Sequence, residues 1–77
     1  MKNDGLLDLR GIPCPRNTAK ALMYLEVQDT DSVSLIIFDD GEPVFNFEES
    51  LELEPGYEIK KKEPNNGAWN LYILKKD

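Results

Sequence analysis

The residue type with most chemistry in this chain is its single cysteine, Cys14, set between Pro13 and Pro15 and followed by Arg16 and Asn17. Each proline disfavours helical backbone in the residue before it, which leaves Ile12 and Cys14 extended. Pro15 suits the first position of a helix, because its missing N–H would have had no partner there. The thiol is therefore expected at a helix start, where unpaired N–H groups and a partial positive charge stabilise an anion and lower a thiol pKa. Arg16 would add a full positive charge, and the flanking prolines would hold the sulfur at a defined exit angle. The thiolate is the nucleophilic form, so the expectation is a partly exposed, activated Cys14. Free cysteines are more often inert packing, but a site between two prolines at a helix start is badly placed to fill a core.

Composition removes most competing chemistries. A lone cysteine cannot make an internal disulfide, a CxxC redox pair or a multi-thiolate zinc site. The chain has no histidine, so imidazole-based catalysis is excluded, and neither a metal site nor a cofactor is expected. Fifteen acids against nine bases give a net charge of −6, which counts against direct nucleic-acid binding, since that needs clustered Lys/Arg. No stretch approaches the roughly 20 apolar residues of a membrane span, and Met1-Lys2-Asn3-Asp4-Gly5 resembles neither a secretory signal nor a transit peptide. A cytoplasmic protein without a membrane role is expected. With 77 residues, of which 40% are apolar and 31% charged, the chain reads as one folded domain, 1–77. A core this small is worth only about 3–5 kcal/mol net, so Phe38, Phe47, Tyr57, Trp69 and Tyr72 are read as core or near-core rather than as ligand contacts.

The elements that must position the thiol follow from periodicity. Leu6, Leu7 and Leu9, bounded by Gly5 and Arg10-Gly11, suit a short, mostly buried strand. Thr18, Ala21, Leu22 and Leu25 recur at helical spacing and predict a helix from about Pro15 to about Val27. Val33–Phe38 is an apolar, β-branched run expected of a central strand. Val44, Phe47 and Leu51 predict a second helix whose face Phe45 and Leu53 blur, ended by Pro55-Gly56. Alternation around Tyr57 and Ile59, and again around Trp69, Leu71 and Ile73, gives two strands flanking Glu63-Pro64-Asn65-Asn66-Gly67, with Asn66-Gly67 the best local hairpin cue. The order β-α-β-α-β-β predicts an α/β (α+β) two-layer sandwich: a four-stranded mixed sheet, its first strands parallel, with two helices on one face.

That layout puts Asp39-Asp40 on the same sheet edge as Cys14, and Asn65-Asn66-Gly67 close to it. The two aspartates are read first as caps of the second helix and second as modulators of the thiol or docking contacts. Lys60-Lys61-Lys62 and Lys75-Lys76 read as edge protection and solubility, and the acids Glu48–Glu54 as a solvated helix face.

The run Leu7-Asp8-Leu9-Arg10-Gly11-Ile12-Pro13-Cys14-Pro15, followed by an amphipathic helix and a strand ending in Asp39-Asp40, resembles the TusA/SirA-like sulfur-carrier (sulfurtransferase) family over nearly the whole chain. The resemblance implies a cysteine that accepts sulfane sulfur as a persulfide from a protein donor, such as a cysteine desulfurase, and passes it to a protein acceptor in a relay. By match to the motif, Cys14 is the sulfur-bearing residue and Pro15 the motif proline, while Arg16 falls at a variable position. Asn17 stands where the family's Cys-Pro-x-Pro has its second proline, which returns an N–H to the opening turn. With no resolving thiol in the chain, a persulfide on Cys14 must leave to a partner or an external acceptor. A monomeric carrier is expected; the alternative is a non-catalytic binding or regulatory module of the same fold with a redox-responsive or inert Cys14.

Overall fold

The computed structural model describes residues 3–13 and 15–76. Its elements are β1 (Asn3–Asp8), α1 (Arg16–Glu26), β2 (Val33–Asp39), α2 (Glu42–Glu52), β3 (Tyr57–Pro64) and β4 (Ala68–Lys75). The sheet order is β1-β2-β4-β3, with β1 parallel to β2 and the other two pairings antiparallel. This is the mixed two-layer sandwich that the strand and helix alternation predicts. The hairpin between β3 and β4 forms where expected: Asn66 and Gly67 take φ of 49° and 83°, while Asn65 and Ala68 exchange backbone hydrogen bonds of 2.8 and 3.0 Å. Positive φ at both central residues is the geometry of a type I′ turn, whose twist matches that of the strands.

Pairing register sets which residues share a face. Ile36 lies opposite Leu71, Phe38 opposite Trp69 and Ser34 opposite Ile73. Ile36, Phe38, Leu71 and Ile73 form the buried cluster with Ala21 and Leu25 of α1 and Val44, Phe47 and Leu51 of α2. Phe38 and Phe47 stack with ring centroids 4.5 Å apart. Phe45 and Leu53 are 57% and 82% exposed, so the second helix has one clean apolar stripe after all. Where β1 passes under α1, Gly5 lies against the Tyr24 hydroxyl, which a Cβ there would displace.

Several expectations need correction. The first strand is not mostly buried: it is an edge strand, Leu6 is 63% exposed, and the fully buried Leu9 follows its last residue. Pro15 is the N-cap of α1 rather than its first residue, and the helix ends at Glu26. Helix α2 stops at Glu52, before Pro55-Gly56, with Leu53 as its C-cap. Lys60, Lys61 and Lys62 do lie on an edge strand, but β4 is internal. Lys75 there caps α1 instead, its Nζ donating to the carbonyls of Glu26 and Gln28 at 2.7 and 2.9 Å. Tyr72 faces away from the helices, opposite Lys61, and its hydroxyl donates to Glu63 at 2.9 Å. Glu48 is not simply solvated, since it pairs with Lys62 across to β3 at 2.9 Å.

Candidate functional site at the start of α1

Cys14 lies outside the described residues; the segments on either side of it are described. Pro13, Pro15 and Arg16 are exposed, and α1 begins immediately after Pro15, whose φ and ψ are −90° and 10°. Among the described residues no side chain caps this helix start. Its amides are nonetheless engaged: Asn17 N donates to Pro13 O at 3.1 Å, Ala19 N to Pro15 O at 3.1 Å, and Thr18 N to the Asn17 side chain at 2.6 Å. Beside these three engaged amides, the opening turn offers an anion its dipole and the positive charge of Arg16.

The segment entering this turn is held from two directions. Asp8 and Arg10 form an ion pair at 2.6 Å, and the Asp8 carboxylate also accepts the Arg10 amide at 3.1 Å. The Arg10 guanidinium and amide keep the Asp8 carboxyl below its ordinary 3.8. Across the sheet edge, Asp39 at the end of β2 accepts the Gly11 amide at 2.7 Å. Gly11 has φ of 84°, a left-handed conformation open to glycine, so the chain reverses there and presents its N–H to that carboxylate. Asp40 accepts the Trp69 indole N–H at 2.7 Å, and its amide donates to Gly67 O at 3.1 Å.

The Asp39-Asp40 pair thus does not cap α2, whose N-cap is Gly41 with no side-chain cap. One aspartate ties down the loop before Cys14, and the other joins that sheet edge to the β3–β4 turn. Asn65-Asn66-Gly67 does reach the same edge.

Asn17 departs furthest from a surface role. It is completely buried; its Oδ1 accepts from Thr18 N and its Nδ2 has no partner among the described residues. The donor at Thr18 N fixes which side-chain atom is oxygen, because the reversed amide would set two N–H groups against each other. The burial was legible in principle: Asn17, Ala21 and Leu25 fall at i, i+4 and i+8, and all three are buried. Beside the opening turn, Pro15, Thr18, Asn46, Glu49, Ser50 and Leu53 line a shallow groove between α1 and α2. Among the described residues no group of three or more His, Cys, Asp or Glu could hold a metal ion, and no helix is long and apolar enough to cross a membrane.

Neither a protein-family model nor a curated protein sequence matches the chain.

Proposed function

We propose that the protein is a sulfur carrier that accepts sulfane sulfur on Cys14 and hands it to a partner protein. The observation that carries the reading is the junction of β1 and α1: the family-like run Leu7–Pro15 ends in two exposed prolines at the helix start, and its loop is anchored from behind by Asp39. In this chemistry the Cys14 thiolate attacks the terminal sulfur of a donor persulfide. The donor S–S bond breaks, the donor cysteine leaves as a thiolate, and the sulfur remains on Cys14 as a persulfide. An acceptor thiolate takes it in the same way, so no net oxidant is consumed. Arg16 favours the anionic states on both sides of the transfer. The groove beside Pro15 gives an approaching protein a surface next to the reacting position.

A second reading is favoured by Asn17. Its buried side chain occupies the position of the family's second proline, and it takes up a helix-start amide that would otherwise face an anion. A module of this fold that binds without transferring sulfur follows from that arrangement. Incubation with a cysteine desulfurase and cysteine separates the two. The carrier gains about 32 Da, the mass of one sulfur, and loses the gain in Cys14→Ser. A folded protein that gains nothing is the module.

A further inference from the structure

The sheet face turned away from the helices carries an apolar field where a two-layer fold exposing one face of its sheet ordinarily has polar residues. Register places Leu6 of β1, Val33, Leu35 and Ile37 of β2, and Tyr72 and Leu74 of β4 on it. Leu6 is 63% exposed, and of the six only Ile37 is buried.

Three of the four carboxylates around this field are paired with cations. Asp8 pairs with Arg10, Glu58 with Lys60 and Glu63 with Lys61, at 2.6, 3.5 and 3.6 Å. Asp39, at the end of β2, is tied to the Gly11 amide. Much of the net charge of −6 lies on the helical layer, where α2 with its flank supplies Glu42, Glu48, Glu49, Glu52 and Glu54, and of these only Glu48 pairs with a lysine among the described residues. The molecule is thus strongly acidic on the helical layer and apolar with mostly paired charges on the other.

We infer that this open sheet face is the interface of a symmetric dimer, with a second copy of the chain as its occupant. Packing two such faces together buries both apolar fields and turns both acidic layers outward, so the like net charges meet at the greatest separation. A basic partner fits less well, because Asp8, Glu58 and Glu63 on this rim already hold their own cations and leave only Asp39 without one among the described residues. The in-plane extents of the molecule, 29 and 23 Å, limit the footprint to roughly 650 Å² per copy, the lower end of stable interfaces. A reversible dimer is expected rather than an obligate one. The inference is independent of the sulfur-carrier reading, and the start of α1 stays uncovered in such a dimer.

The test is sedimentation equilibrium of Cys14→Ser protein under reducing conditions, from about 1 μM to about 1 mM, the range over which weak and standard interfaces dissociate. The expected mass rises with concentration from 8.8 kDa to twice that value. Leu6→Glu, at the most exposed position of the field, shifts the midpoint at least about tenfold, since it sets two carboxylates into an apolar contact. Phe45→Glu, on the helical layer, leaves the midpoint unchanged, and circular dichroism checks the fold of each variant. A mass fixed at 8.8 kDa throughout overturns the inference. So does a dimer weakened by Phe45→Glu and not by Leu6→Glu.

Discussion

A fully buried amide with one hydrogen bond made and one donor left over, as at Asn17, is retained against a penalty of about 1–3 kcal/mol. The penalty belongs to the orphan Nδ2, so substitutions that treat that atom differently should separate. Asn17→Leu removes the orphan with a larger side chain of the same branching and forfeits the Thr18 bond, and its net effect is a loss of no more than about 2 kcal/mol. Asn17→Asp keeps an acceptor for Thr18 N but buries a carboxyl whose pKa desolvation raises. Its neutral form is the one the fold tolerates, so the variant is close to wild type in acid and loses stability as pH rises through the raised value. Urea denaturation of both variants at pH 4 and pH 7 checks the pair. Equal losses at the two pH values for Asn17→Asp would mean that the position is solvated.

At the scale of elements, β2 does more than supply the centre of the sheet. Its last residue, Asp39, holds Gly11 and with it the loop that leads into Cys14. Asp39→Ala should cost about 1–2 kcal/mol and open the Gly11 amide to hydrogen exchange, whereas Asp39→Asn keeps an acceptor and retains most of the protection. If the Gly11 amide exchanges equally fast in wild type, the anchor is absent. This contact marks the limit of what the amino-acid pattern discloses. The hairpin was legible because Asn66-Gly67 encodes its own turn, and α2 because Val44, Phe47 and Leu51 repeat within one element. Asp39 and Gly11 are 28 positions apart, and Lys75 reaches Glu26 across 49. Such side-chain-to-backbone contacts leave no periodic trace, so Asp39-Asp40 read as helix caps and Lys75 as edge protection. Of the site, proline chemistry located the helix start to within one residue, with Pro15 as N-cap instead of first helical residue, while the engaged amides and the buried Asn17 depended on how α1 settles on the sheet.

For the whole molecule, three side-chain environments set the pH range over which the fold is most stable. On the acid side, Arg10 holds the Asp8 carboxyl below its ordinary 3.8. A depressed carboxyl contributes stability that is full above its unfolded value and lost as pH falls through the folded one. On the alkaline side two phenols are pushed above 10.0: Tyr72 by its hydrogen bond to Glu63 and then by burial, Tyr57 by burial and then by the nearby carboxylates Glu26 and Glu54. A raised phenol contributes stability that is complete below 10.0 and is lost as pH climbs through the folded value. The expected profile is a plateau from about pH 4 to about pH 10 as far as these groups govern it. The acid limb should be shallow and weakened by salt, because Asp8 and Arg10 are an exposed pair. The alkaline limb should resist salt better, since desolvation is unscreened and the Tyr72–Glu63 contact is a short hydrogen bond. Thermal unfolding across pH, with and without 1 M NaCl, reads both limbs. Tyr72→Phe should flatten part of the alkaline fall and remove one late-ionising phenol from the ultraviolet titration. If that phenol persists in Tyr72→Phe, the bond to Glu63 is not what raises it.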